Sequence, residues 1–142
     1  MKIRKAIVSD YKQVIQLYND FVGENRYSKF DNDSFKKVLQ SPSNHIFVAE
    51  EGKKIIGFAS FSVRMVVRYS KPIAELDELY VVPEYRKTGV GRKLMEAVLK
   101  TANELDCHRL FVESQYKHII AHKFYEILGF KNYGYHFIKD LS

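Results

Sequence analysis

At 142 residues, with 46% apolar and 28% charged side chains, the chain has the composition of an ordinary soluble globule and is read as a single domain over residues 1–142. No apolar run approaches the roughly 20 residues that a membrane span needs, and the basic start Met1-Lys2-Ile3-Arg4-Lys5 has no apolar core behind it, so neither a membrane anchor nor a secretory signal is expected. The net charge of +6 suits a nucleic acid or a small polyanion, but basic residues cluster only at Arg86-Lys87 and Arg92-Lys93, which favours the small anion. In chain order, Ile3–Ile7 alternates as a first strand, and Ser9 can cap a helix over Asp10–Phe21 whose Val14, Leu17, Tyr18 and Phe21 form one apolar stripe. Residues 22–32 are polar and loop-like, and Asp33 caps a short helix, Ser34–Gln40, closed by Ser41-Pro42. His45–Glu50 and Lys54–Val67 read as a hairpin turned at Glu51-Gly52-Lys53, followed by a strand over Ile73–Val82. A helix from about Gly89 to Leu105 comes next, with Leu94, Val98, Thr101 and Leu105 on one face. A strand over Arg109–Glu113, a helix over Ile119–Leu128 and a closing turn and strand over Lys131–Lys139 complete an α/β order with one central sheet. The lone Cys107 forms no intramolecular disulfide, so a reducing, cytoplasmic setting is expected.

The segment Val81-Val82-Pro83-Glu84-Tyr85-Arg86-Lys87-Thr88-Gly89-Val90-Gly91 carries the most information. A β-branched run stops at a proline, and Arg-x-x-Gly-x-Gly then leads straight into a helical pattern. A strand, a glycine turn and a helix N-terminus in that order make an anion cradle, because several backbone N–H groups converge and the helix dipole adds about half a positive charge. Two phosphate loops are excluded. A Walker loop needs Gly-Lys-[Ser/Thr], whereas Gly91 is followed by Arg92-Lys93; a dinucleotide fingerprint needs a third glycine where Leu94 stands.

Residues 75–130 resemble the GCN5-related N-acetyltransferase (GNAT) family, whose acyl-CoA loop has this Arg-x-x-Gly-x-Gly between strand and helix. A second family element, roughly Asn-x-x-Ala-x-x-Phe-Tyr-x-x-x-Gly-Phe, matches His118 to Phe130 except at its first position. The resemblance implies a mixed, mostly antiparallel central sheet flanked by helices. It also implies acetyl-CoA as co-substrate, with no metal, and transfer of the acetyl group to a primary amine. The backbone N–H groups over Lys87, Thr88, Gly89, Val90, Gly91 and Arg92 suit the pyrophosphate, with Arg86 and Lys87 as nearby charges. In the family the pantetheine arm pairs along the preceding strand, here Leu79, Tyr80 and Val81, and an N–H near Val81 polarises the thioester carbonyl. His118, Ala121 and Phe124 complete the implied cofactor-binding set, His118 standing where the family has asparagine.

The resemblance makes Tyr125 the general acid that protonates the departing thiolate, a phenol of pKa about 10 against a thiol of about 8.5. A carboxylate near the strand bulge, acting through water, is a family solution for the general base, and Glu75-Leu76-Asp77-Glu78 offers three. Glu78 is preferred, then Glu75; alternation puts Glu75 and Asp77 on one face and Glu78 on the other unless a bulge re-aims them. Glu113 could instead bind the acceptor's ammonium. Family habit draws the acceptor pocket from the early helices and a late turn, here Glu24, Tyr27, Phe30, Asp31, Asp33 and Tyr133, a mixture suited to a small cationic amine. Alternatives are a protein N-terminal or lysine acetyltransferase and a non-catalytic acyl-CoA-binding regulator. No nucleic-acid or membrane partner is expected, and homodimerisation is implied by family habit alone.

Overall fold

The computed structural model describes residues 1–23 and 31–141. Its elements are β1 (Lys2–Lys5), α1 (Tyr11–Val22), α2 (Asn32–Gln40), β2 (Asn44–Glu51), β3 (Lys54–Val66), β4 (Lys71–Val81), α3 (Val90–Glu104), β5 (Leu110–Val112) and α4 (Ile119–Ile127). The sheet order is β1-β2-β3-β4-β5, and β1 to β4 pair antiparallel throughout. Beside β4 the chain direction changes. His108 N–H donates to Pro72 (2.8 Å) and Ala74 N–H donates to Arg109 (2.9 Å), so the bonds advance the same way along both segments, as between parallel strands. The sheet is therefore mixed and mostly antiparallel. The chain divides into two compact units, Met1–Phe111 and Val112–Ser142.

In the first unit the centre of β3 is buried at every position from Ile55 to Phe61, as a strand covered on both faces must be. The covers can be identified from neighbouring residues. Phe58 stacks on Tyr18 of α1, with ring centroids 4.3 Å apart. The adjacent Gly57 faces Leu94 of α3. Successive strand residues point to opposite faces, so α1 and α3 sandwich the sheet. Val14, Phe35, Leu94, Met95 and Val98 complete a core in which each is essentially inaccessible to water.

Ser9 does not cap α1. A short 3-10 turn over Val8–Asp10 precedes the helix, and buried Asp10 accepts from Ile7 N–H (2.8 Å) and from both terminal nitrogens of Arg4 (2.8 and 2.9 Å). Burial pushes the Asp10 carboxyl up, but these bonds outweigh it and hold the group below the ordinary carboxylate range. Asp31, not Asp33, caps α2, accepting from Ser34 N–H at 2.8 Å. In the second unit Ile120 and Ile127 are exposed, and the more buried positions of α4 are Ala121, His122, Phe124 and Tyr125, with Leu128 at its C-cap. Apolar residues surround most of this nine-residue helix, so their period cannot select its inner face. The strand expected over Lys131–Lys139 is not formed.

At Gly57 the structure leaves no room for a side chain: a Cβ there would stand 2.9 Å from the Tyr80 carbonyl oxygen and 3.3 Å from Leu94 Cδ1. The first contact is with backbone and cannot be relieved by a rotamer change. Gly57→Ala is expected to destabilise the protein by about 2 kcal/mol, the scale of core overpacking, measured as a lowered midpoint in urea. An unchanged midpoint would show that the strands part without cost.

Candidate active site

The glycine loop folds as an anion cradle. After β4, Pro83–Tyr85 makes a single 3-10 turn, and Arg86 N–H donates to Pro83 at 3.2 Å. The next backbone N–H with a backbone acceptor is that of Lys93, which donates to Gly89 at 3.1 Å. Among the described residues, the N–H groups of Lys87, Thr88, Gly89, Val90, Gly91 and Arg92 have no backbone acceptor. A helix N-terminus leaves its first donors unpaired; here the loop in front extends the row. Gly89, with φ of 93°, caps α3 in the left-handed region, and a Cβ on it would project into open space. A pyrophosphate fits this donor set, with the side chains of Lys87, Arg92 and Lys93 exposed around it.

The end of β4 offers a second row of backbone groups. Val82 N–H donates to Ile56 (2.9 Å), so alternation turns the N–H groups of Val82 and Tyr80 toward β3 and those of Val81 and Leu79 to the other edge. The three-residue β5 bonds near the start of β4, leaving Leu79–Val81 beyond it. Arg86 reaches this edge: its Nε donates to Val81 O at 2.9 Å and its guanidinium lies over the Tyr80 ring at 5.4 Å. The arginine of the motif thus braces the strand, and Thr88 closes the loop by donating to Tyr85 O.

The carboxylates are arranged by a β-bulge. Ser60 pairs with Glu78 and Phe61 with Leu76, so Asp77 is the extra residue. Simple alternation is overridden: Asp77 and Glu78 line the same cavity, of about 270 Å³, with Tyr18, Val38, His45, Ile46, Ser60 and Phe61, while Glu75 does not. Glu78 accepts from the Tyr18 hydroxyl (3.2 Å) and from the Ser60 hydroxyl. Burial, then the Glu78 charge, push the Tyr18 hydroxyl above the ordinary phenol range, so it stays protonated and donates. Burial also pushes Asp77 up to about 6, with help from Glu78 and Glu75 and against a hydroxyl bond from Ser62. His45 stacks on Phe61 (4.8 Å between centroids) and has a buried Nε2 with no hydrogen-bond partner among the described residues. Tyr18, Ser60 and His45 escaped the sequence reading. Tyr18 looked like one member of an apolar stripe, and only the strand register brings the other two to the carboxylates.

In the second unit Tyr125 lies edge-on between Phe124 and Phe130, with centroids 5.6 Å away in each case, and burial pushes its hydroxyl up. Ala121 is half-buried one turn earlier, and His118 is exposed at the start of α4. His122 Nε2 lies 2.8 Å from Gln115 O, tying the helix to its approach loop. Glu113 pairs with His136 at 3.0 Å. Among the suggested acceptor residues, Glu24, Tyr27 and Phe30 lie outside the described residues, Asp31 caps α2, and Tyr133 is exposed.

Comparison with known proteins extends this picture. The model of the Acetyltransferase (GNAT) family matches residues 11–130. An uncharacterised N-acetyltransferase of Mycobacterium tuberculosis is 33% identical over 100 residues, covering 70% of this chain and 61% of the relative, so the match spans less than two thirds of that protein. The aminoalkylphosphonate N-acetyltransferase of Salmonella typhimurium is 26% identical over 141 residues, covering 99% of this chain and 91% of the relative. The crystal structure of an aminoglycoside acetyltransferase from an uncultured soil metagenomic sample superposes with a TM-score of 0.89 at 25% identity, covering 99% of this chain and 96% of that one.

The bulge sets a measurable titration. Carbon-13 NMR of the side-chain carboxyl should give Asp77 a midpoint near pH 6, and Glu78→Gln should lower it by removing the adjacent charge. The folded-state value lies above the ordinary 3.8, so between these two values the folded protein holds a proton that the unfolded chain has lost. Stability should therefore fall as pH rises through that window, and Asp77→Asn should remove that part of the slope. A midpoint near 4 would show that the cavity does not desolvate Asp77.

Proposed function

The chain belongs to the GNAT family of acetyltransferases, and from that premise we propose that it transfers the acetyl group of acetyl-CoA to a primary amine on a small cationic molecule. The observation that carries the donor half is the run of six N–H groups over Lys87–Arg92 that have no backbone acceptor among the described residues, a fit for a pyrophosphate. Bound acetyl-CoA supplies an activated acyl group as a thioester. Leu79 and Val81 have backbone groups on the open edge of β4 for an extended pantetheine arm, and Val81 N–H is assigned the developing charge on the carbonyl oxygen.

The acceptor half rests on the acidic cavity. Tyr18 and Ser60 hold Glu78 with two hydroxyls, which suits it to fix an ammonium. Asp77, on the bulge and titrating near 6, is suited to take the proton, directly or through a water, at neutral pH. Glu75 lies outside the cavity lining and has no part in this reading. Tyr125 is assigned the proton delivered to the departing sulfur, on its place in the Phe-Tyr-x-x-x-Gly-Phe element. His118, Ala121 and Phe124 keep the cofactor-side assignment on the same ground.

The cavity also discriminates between acceptor types. Asp77 and Glu78 line it, and no lysine or arginine does so among the described residues. That lining repels a phosphonate and attracts a second ammonium, which favours amino sugars and polyamines over aminoalkylphosphonates.

Steady-state assays of CoA release against an amine panel test this reading. Polycationic amines are expected to exceed aminoalkylphosphonates at least tenfold in kcat/KM, about 1.4 kcal/mol of discrimination; the reverse order would overturn the acceptor class. Tyr125→Phe should lower kcat by roughly 10²-fold with acetyl-CoA affinity unchanged, the usual scale for one general acid. Failure of the wild-type chain to bind acetyl-CoA in calorimetry would overturn the whole reading.

A further inference from the structure

His45 carries a buried polar atom that the acetyl transfer leaves unused. Its Nε2 has no hydrogen-bond partner among the described residues. Buried polar atoms are almost always paired, and an orphan costs stability, so its persistence needs a reason. The stack on Phe61 does not supply one, because stacking needs a ring and not a free nitrogen.

The half-buried ring stands in a wall between two cavities. It lines the acidic cavity with Asp77 and Glu78, and it also lines a second cavity, of about 240 Å³, with Lys5, Gln40 and Pro42. The Pro42 carbonyl hydrogen-bonds the ring, and since Nε2 is unpartnered the nitrogen engaged is Nδ1. The two ring nitrogens diverge, so Nε2 is turned away from Pro42, which lines the second cavity and not the acidic one. Burial, then the Lys5 charge, hold the ring below the ordinary histidine range. At neutral pH Nδ1 therefore carries the only ring proton and donates it to Pro42, and Nε2 presents a bare lone pair.

We propose that His45 is a specificity-determining residue of the acceptor site: after a small turn of its ring, Nε2 accepts a hydrogen bond from a hydroxyl group on the amine. The inference rests on the acidic cavity being the acceptor site, and it narrows the acceptor to hydroxylated amines such as amino alcohols. A lone pair admits only a donor, and charge decides which donor. A second ammonium at His45 meets the like charge of Lys5, whereas a hydroxyl brings a donor and no charge. Carboxylates hold the ammonium, and the imidazole reads the hydroxyl. An acceptor without that hydroxyl leaves the nitrogen orphaned, the arrangement by which a polar site rejects an analogue that lacks one group.

Matched amines that differ by a single hydroxyl test this: diaminopropane against diaminopropanol, and diaminobutane against diaminobutanol. The wild-type chain should favour the hydroxylated member at least about tenfold in kcat/KM, the scale of one hydrogen bond to a buried group, and the difference should lie in KM. His45→Leu should bring the ratio to about one, and His45→Gln, which keeps an acceptor oxygen, should restore part of it. Nitrogen-15 NMR of the histidine rings reads the bond itself and needs no acetyl-CoA: the Nε2 signal of His45 should move on adding diaminopropanol and stay in place with diaminopropane. Equal kcat/KM for both members of each pair in the wild-type chain overturns the proposal. So does a ratio that His45→Leu leaves intact, a loss of both members by the same factor, or an Nε2 signal that neither amine moves. A signal moved by diaminopropanol alone, in a chain that releases no CoA with any amine, would overturn the acetyl-transfer reading and leave the hydroxyl site standing.

Discussion

The register between β3 and β4 is the constraint from which the rest follows. Antiparallel pairing fixes Gly57 against Val81 and Phe58 against Tyr80, and the approach at Gly57 leaves no space for a side chain. Two consequences emerge from that pairing. Toward the strand end, alternation turns the amides of Leu79 and Val81 outward beyond the reach of β5. Toward the strand middle, the pairing slips by one residue and sends Asp77 and Glu78 into one cavity. A strand without the slip would put these neighbours on opposite faces.

The two ends of this stretch carry opposite electrostatic characters. The glycine loop gathers partial positive charge from amides and whole charges from Lys87, Arg92 and Lys93. The bulge gathers negative charge, and among the described residues hydroxyls hold it: Glu78 is bonded by Tyr18 and Ser60. An ion pair there would neutralise the carboxylates; hydroxyl donors leave their charge available to a cationic guest. A chain with net charge +6 thus shows, among the described residues, a cavity lined by carboxylates and by no lysine or arginine.

The glycine loop and the order of elements were legible in the sequence because both rest on local signals: a β-branched run, a proline, glycines at fixed offsets and apolar periodicity. The acidic cavity was legible only in part. Glu75, Asp77 and Glu78 stood out as a cluster, but which of them share a cavity depends on a register slip against Ser60 and Phe61, residues far off in the chain. Tyr18 shows the same limit. Its helical spacing reads as packing, and its ring does pack on Phe58, while its hydroxyl reaches Glu78, 60 positions away. The inner face of α4 is not legible from its period, because isoleucines and aromatics surround that helix. The closing turn and strand expected over Lys131–Lys139 did not form as a strand, because a local turn signal does not say whether a neighbouring strand edge is there to pair with.

Lys87 has a φ of 62°, in the left-handed region, beside two glycines that could have absorbed such a turn. A residue with a Cβ holds that conformation at a cost of roughly 1–2 kcal/mol. Placing a lysine there puts its charge at the mouth of the cradle, and the left-handed turn aims successive amides into one concavity. The strain held at Lys87 is therefore part of how the fold shapes this concavity.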